Sequence, residues 1–207
     1  MTRIYALRHG ETPLNLDRRI IGGRSNHSLL TERGEREALL AGPVLKSLGV
    51  FPDIVYATTA LRTQQTLELV LQAYDVKPEP IISDAFAEMS QGLFEGKSRS
   101  KVYTPRKIPL IKRQLLDFKL PGAESMNEVA DRVLSKFDEI ADLHQDQTVL
   151  VVMHGVAITC AFGRALGWNH AQIRKSVENL SLSEMQIHDG VRRAMYVGRN
   201  IIGDLAT

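Results

Sequence analysis

Two stretches of this chain share one plan, and they constrain its fold more than any other feature. Ile4-Tyr5-Ala6-Leu7 is a short apolar run that ends in Arg8-His9-Gly10. Thr148 to Met153 is almost wholly apolar and β-branched, and it ends in His154-Gly155. Such runs read as strands buried on both faces, as found in parallel sheets covered by helices. Open α/β sheets bind ligands at the carboxyl ends of their strands. Two strands that each deliver a histidine there, followed by a glycine that lets the chain turn, predict neighbours opening on one site.

The stretches between them fit the same class. Pro13 to Asn26 reads as loop. Thr31 is placed to cap a helix carrying Ala38, Ala41, Leu45 and Leu48 at helical spacing. Gly42-Pro43 predicts a kink or break in it, and Gly49 its end. Asp53 to Ala57 reads as a second strand. Thr58 and Thr59 then offer caps to a helix with Ala60, Thr63, Leu67, Val70, Leu71 and Tyr74 on one face. Ile81-Ile82 is a short strand. Ser125-Met126-Asn127-Glu128 has the form of a capping box, opening an amphipathic helix through Met126, Val129, Val133, Phe137 and Ile140. Asp189-Gly190 sits between two strand-like runs and signals a hairpin, which adds an antiparallel strand. The expected fold is α/β: a three-layer α/β/α sandwich with a mostly parallel sheet, one antiparallel strand and a small helical lid insertion at about 97–121. With no repeat or linker, residues 1–207 read as a single domain.

Composition narrows the function classes. With 207 residues and 43% hydrophobic content, the chain can bury a full core. No apolar run is long enough to span a bilayer, and Arg8 interrupts the N-terminal run before it could serve as a secretory signal. The one cysteine, Cys160, lies in an apolar run that suits packing, and a lone cysteine points to a reducing, cytoplasmic setting. The net charge of +2 is uneven. Between Lys97 and Lys119 stand eight basic residues against Asp117 alone, a net +7, while the remainder carries −5. Such a patch attracts an anion or forms a solvated face. The expected partner is a small phosphorylated metabolite, with no nucleic acid and no membrane; self-association as a homodimer is left open.

The chemistry starts at Arg8-His9. A neutral imidazole is a nucleophile, and an adjacent guanidinium can hold phosphate oxygens by paired hydrogen bonds. Together they suggest a histidine that attacks phosphorus. Arg62 falls in the first turn of its helix, where unpaired N–H groups and the helix dipole favour a phosphate; alone it reads equally as a solvent-facing residue. His154 alone reads equally as a core histidine bonded to backbone. No His, Cys, Asp and Glu cluster has metal-ligand spacing, so neither metal nor cofactor is expected.

Arg8-His9-Gly10-Glu11-Thr12, with Asn15 beyond it, resembles the signature of the histidine phosphatase superfamily, the phosphoglycerate mutase-like family. The resemblance implies a phosphohistidine on His9 and phosphate contacts from Arg8, Asn15, Arg62, His154 and Gly155. Thr58 to Thr66 follows the family's Ser-x-Leu-x-Arg-Ala-x-x-Thr pattern, keeping Arg62 and Thr66. Glu88 precedes Gly92-Leu93-Phe94-Glu95-Gly96, which places it as the family's proton donor, with Glu95 anchoring the loop. Pro121 to Ser125 is similar to the family's Pro-Gly-Gly-Glu-Ser. The pattern fails at His27 to Thr31, which lacks the family's acidic residue and proline, so no role passes to His27. The implied activity is a metal-independent phosphatase acting on small phosphomonoesters, the short chain weighing against a phosphoglycerate mutase. A phospho-ligand sensor would need neither a nucleophile nor an acid.

Overall fold

The computed structural model describes residues 1–203. Its strands are β1 (Thr2–Arg8), β2 (Ile54–Ala57), β3 (Pro80–Ile82), β4 (Thr148–Met153), β5 (Ser181–His188) and β6 (Val191–Asn200). They form one sheet in the order β3-β2-β4-β1-β5-β6. The helices are α1 (Pro13–Leu16), α2 (Glu32–Ser47), α3 (Leu61–Leu71), α4 (Arg99–Val102), α5 (Ile108–Gln114), α6 (Met126–Leu143), α7 (Gly155–Ala165) and α8 (His170–Ile173).

The two apolar runs are central neighbours, as expected. β1 and β4 pair in parallel from Arg3 opposite Thr148 to Arg8 opposite Met153. His9 N donates to Met153 O at 3.0 Å, which extends the pairing by one residue. His9 and His154 therefore leave the sheet side by side. β5 pairs antiparallel with both β1 and β6, so it is the one strand running against the others. Asp189 and Gly190 join the hairpin with φ of +50° and +72°, the left-handed pair whose twist matches the strands.

Alternation along the strands sends side chains to two layers. Ile4, Ala6, Val149, Val151 and Met153 pack with α6 and α7, including Val129, Val133, Phe137, Ile158 and Phe162. Tyr5, Leu7, Leu150 and Val152 pack with Ala38, Ala41 and Leu45 of α2 and Leu67 and Val70 of α3. Phe137 stands between Phe86 and Phe162, with centroids at 5.5 and 6.0 Å. The three-layer α/β/α fold follows. Thr31 caps α2 through Gly34 N, and Ser125 and Glu128 form the capping box of α6.

Three local expectations are corrected. α2 runs through Pro43 to Ser47 without a break. Pro43 lacks the N–H that would bond Leu39 O, and Leu39 lies on the exposed side. Gly42, beside it, lets α3 approach: a Cβ there would lie 2.4 Å from Val70 O. The stretch from Pro13 to Asn26 is not all loop, since it contains α1, capped by Thr12 and Asn15. The N-cap of α3 is Ala60 rather than Thr58 or Thr59, though Thr58 Oγ1 accepts from Ala60 N at 3.2 Å.

The basic segment is helical, holding α4, α5 and 3-10 turns. Val102 and Leu120 pack there with Ile21 in a small cluster of their own. Ile21 N donates to Lys97 O and Gly96 N to Ile21 O, which ties the segment to the loop after α1. Among the described residues no helix is long and apolar enough to cross a membrane.

Gly42→Ala tests the close approach. An exposed helical Gly→Ala change stabilises by about 1 kcal/mol. Here the collision with backbone should reverse the sign, destabilising by about 1–3 kcal/mol. Urea denaturation measures it; a stabilised variant would show that the helices do not touch at this point.

Candidate active site

The site lies where β1 and β4 end. His9 is 3% exposed. Its Nδ1 is 2.7 Å from Gly10 O. A carbonyl only accepts, so Nδ1 carries the hydrogen and Nε2 keeps the lone pair. Burial, then the charges of Arg62 and Arg8, hold this imidazole well below its ordinary pKa. His9 is thus neutral, with its nucleophilic nitrogen free of a proton.

Arg62, in the first turn of α3, is buried and organises the site. Its Nε donates to His9 Nε2 at 3.2 Å and its Nη2 to His154 Nδ1 at 3.1 Å. Nη1 and Nη2 also donate to Ser25 O and Arg24 O, both at 2.9 Å. His154 is 1% exposed, its ring centroid 5.3 Å from that of His9. Burial lowers its pKa most, followed by Arg62, His9, Arg132 and Arg8. The other ring nitrogen, Nε2, lies 3.1 Å from Thr58 Oγ1.

Arg8 donates from Nη1 to Val177 O, while its Nε is buried without a partner. Gly155 leaves room for that guanidinium: a Cβ there would sit 3.1 Å from Arg8 Nε and 2.5 Å from Ser176 Oγ. Asn15 Oδ1 accepts from Thr12 N, Thr12 Oγ1 and Asn179 Nδ2 at 3.0, 3.1 and 3.2 Å. Asn179 also donates to His9 O at 2.8 Å. Asn15 therefore shares with His9 a clamp through Asn179.

Glu88 reaches the site from the loop after β3. Its Oε1 accepts from Met89 N at 2.8 Å and Ala157 N at 3.2 Å, and its Oε2 from Val156 N at 3.2 Å. The carboxylate thus sits on the first turn of α7, and its charge acts on both Arg8 and Arg62. The other carboxylates nearby have separate work. Glu95 Oε1 accepts from Gln91 N at 3.0 Å, as a loop anchor would. Glu11 Oε1 accepts from Thr31 Oγ1 at 2.9 Å. Glu124 takes Arg132 Nε and Nη2 at 2.8 and 3.1 Å and Ser90 N at 2.8 Å.

Structure thus brings together Arg8, His9, Arg62, Glu88, His154 and Gly155, with Asn15 one clamp away. It adds residues that sequence reasoning missed. Arg132 also donates to Ala85 O and Glu88 O at 3.0 and 3.3 Å, so with Glu124 it fixes the loop carrying Glu88. Asn179 holds the backbone of His9. Neither sits in a motif; only the matched glutamate of Pro121 to Ser125 hinted at the clamp. Half of the basic residues in 97–119 are committed locally: Lys97 and Lys107 stand over the Phe94 ring, Arg99 bonds Arg18 O, and Lys119 pairs with Glu128. Lys101, Arg106, Lys112 and Arg113 are exposed. Among the described residues no group of three His, Cys, Asp or Glu is placed to hold a metal ion.

The family model described as histidine phosphatase superfamily (branch 1) matches residues 4–199. The chain belongs to that superfamily. It is 31% identical over 198 residues to the probable phosphoglycerate mutase GpmB of Shigella dysenteriae, covering 92% of this chain and 87% of that protein. Among solved structures, YhfR of Bacillus stearothermophilus is 25% identical, with a TM-score of 0.82 and coverage of 97% and 98% of the two chains. The mycobacterial glucosyl-3-phosphoglycerate phosphatase Rv2419c shares the fold at a TM-score of 0.80 and 21% identity, over 96% and 99% of the chains. Superfamily members are phosphatases or mutases. The GpmB relative matches over most of its own length, so chain length does not separate the two reactions.

Both buried imidazoles should register in the stability of this superfamily member. They are neutral in the folded state and protonate near pH 6.5 once unfolded. The unfolded state therefore binds more protons in acid. Their contribution is present above about pH 6.5 and is lost as pH falls from there through the lower folded-state values, at about 1.4 kcal/mol per pH unit for each proton. Urea unfolding from about pH 7.5 to about pH 5 should show the fall, and His154→Gln should make it shallower. An identical slope in the variant would mean that His154 is charged in the fold.

Proposed function

We propose that the protein is a metal-independent phosphatase of small phosphomonoesters. The observation that carries this reading is the neutral His9, its Nε2 lone pair directed at Arg62 rather than blocked by a proton. An incoming phosphoryl group takes the guanidinium N–H groups of Arg62 and the buried, unpaired Nε of Arg8 as donors. Arg62 Nε releases His9 Nε2 in the exchange. His9 Nε2 then attacks in line: the N–P bond forms as the P–O bond to the leaving group breaks. Glu88, carrying a proton at that moment, gives it to the leaving oxygen. In the second half the resulting carboxylate takes a proton from water, whose oxygen attacks phosphorus. The N–P bond breaks, inorganic phosphate forms and His9 returns neutral. His154, Asn15 and the first turn of α7 share the charge of the equatorial oxygens.

Hydrolysis rather than mutase transfer is supported by the segment 97–121. Among the described residues the cluster that holds it buries Ile21, Val102 and Leu120 fully and Phe94, Tyr103, Phe118 and Ala123 in part, a light attachment for a chamber that must exclude water. The GpmB relative favours the second reading, a phosphoglycerate mutase. Phosphate release from a panel of phosphomonoesters, set against interconversion of phosphoglycerates, separates them. The reading also places the protein in the cytoplasm, where the buried Cys160, its thiol pushed up to about 12 by burial, stays reduced and inert. Chelation should leave turnover unchanged; its loss, with rescue by a divalent ion, would overturn the metal-independent mechanism.

His9→Ala should abolish turnover and covalent labelling. Glu88→Gln should cost roughly 10²–10⁴ on alkyl phosphates, whose leaving oxygen needs a proton. On p-nitrophenyl phosphate the first step should suffer far less, so nitrophenol should appear in a burst while phosphoenzyme accumulates. Rapid-quench assays follow both steps. Equal losses on the two substrates would mean that Glu88 only shapes its loop.

A further inference from the structure

The hydrogen bonds around His154 can be given a direction. Arg62 Nη2 has only hydrogens to offer, so His154 Nδ1, at 3.1 Å, must present a lone pair. The hydrogen of the neutral ring is then on Nε2 and is donated to Thr58 Oγ1 at 3.1 Å. Thr58 Oγ1 also accepts from Ala60 N at 3.2 Å, so its own hydrogen goes to Thr63 Oγ1 at 3.0 Å. Thr63 Oγ1 accepts from Thr58 N at 3.2 Å and donates to Ala60 O at 2.7 Å. The chain ends on a carbonyl, which cannot pass a hydrogen back. Thr58, Thr63 and His154 are all buried, so water does not rearrange them.

We propose that Thr58 is a positioning residue that pins the hydrogen of His154 to Nε2, so that a phosphoryl group binds only together with one proton from solvent, taken up at His154 Nδ1. This rests on the reading that the phosphoryl group sits between His9 and His154. Once it draws the Arg62 N–H groups to itself, Nδ1 faces a negative oxygen with a lone pair. Moving the ring hydrogen across would need Thr58 to donate instead. Thr63 would then either turn its own hydrogen to Thr58, giving up the bond to Ala60 O, or face Thr58 Oγ1 at 3.0 Å with no hydrogen between them. Protonating Nδ1 leaves the whole chain in place.

The surroundings of the ring agree in both states. Burial first, then the charges of Arg62 from α3, Arg132 from α6 and Arg8 from the end of β1, keep the imidazole neutral, with the neutral His9 ring beside it. Glu88 is the carboxylate of the same corner, held on the α7 turn that His154 caps. A phosphoryl dianion adds two negative charges beside the ring and reverses the balance.

Long-range proton–nitrogen NMR of the imidazoles reads tautomer and charge directly, with the His154→Gln spectrum supplying the assignment. The probe is orthovanadate. Free protein near neutral pH should show His154 with a hydrogen on Nε2 alone; saturation should put hydrogens on both nitrogens. Thr58→Ser should repeat both spectra. Thr58→Val removes the acceptor, and its vanadate complex should lose the doubly protonated signature, with one hydrogen on Nδ1. Vanadate affinity should also lose the part of its pH dependence that Thr58→Ser retains. A free ring with its hydrogen on Nδ1, a singly protonated ring in the wild-type complex, or a serine variant unlike the wild type would each overturn the proposal. Should the valine variant not fold, the wild-type and serine spectra still decide. If vanadate moves neither the His9 nor the His154 signals, the phosphoryl-site reading itself fails, and proton uptake with it; the tautomer of the free protein is read independently.

Discussion

One buried guanidinium ties the site together. Arg62 bonds both catalytic-side imidazoles and two carbonyls of the loop before α2. An arginine suits the position because its donors are fixed in a plane and it stays charged despite burial. A lysine could reach one imidazole but not hold two rings at a set angle. With hydrogens committed to both rings, Arg62 also decides which nitrogen of each is bare: Nε2 of His9 and Nδ1 of His154.

That guanidinium has its effect only because the sheet brings the histidines together. The pairing of β1 with β4 is specified by burial on both faces. A shift of one residue would send Ile4 and Ala6 to the layer that holds Tyr5 and Leu7 and would misplace every side chain. The same register puts His9 and His154 one residue beyond the last paired positions. Positional accuracy at the site is thus inherited from the core, and the helices that cover the sheet supply the second tier: α7 gives backbone N–H groups to Glu88, and α6 gives Arg132.

Much of this was legible in the sequence, for a physical reason. Apolar strands, caps and the hairpin at Asp189-Gly190 are local patterns, so the fold class and the meeting of His9 with His154 could be read directly. Arg8, Asn15, Arg62 and Glu88 stood in short motifs. What could not be read depends on side chains that meet across the fold. Arg132 is one arginine on the polar face of an amphipathic helix, and only the arrival of Ala85, Glu88 and Glu124 gives it a role. Asn179 follows a turn with no motif. Thr58 looked like a cap, and it does accept from Ala60 N, but its bond to His154 crosses from the end of β2 to the end of β4. Pro43 misled because a proline's effect depends on which face of the helix it frees, and Gly42 because its neighbour α3 is distant in sequence. The basic segment misled in degree: aromatic Phe94 and the acidic Glu128 absorb charges that composition counts as available.

The site gathers more positive charge than its one carboxylate balances. Arg62 is buried and Arg8 half-buried, and desolvation depresses each; Arg62 is depressed further by the charge of Arg8. Glu88 is the charge that offsets both, and it is shared with the first turn of α7. Among the described residues Arg8 Nε has no protein acceptor, which leaves it a donor for an anion. A protein selected for stability alone would remove one of these cations. A dianion at this point would relieve the repulsion between the arginines, satisfy Arg8 Nε and free Arg62 from the two imidazoles. On the proposed reading, much of the stabilisation a phosphoryl group brings is the release of costs that the fold bears without it. The same donors, on that reading, stay on the three equatorial oxygens as the phosphoryl group passes from the leaving oxygen to His9, so the charge of those oxygens is met throughout the transfer. The crowding of cations at the site and its preference for a phosphoryl group then have, on the proposed reading, one source.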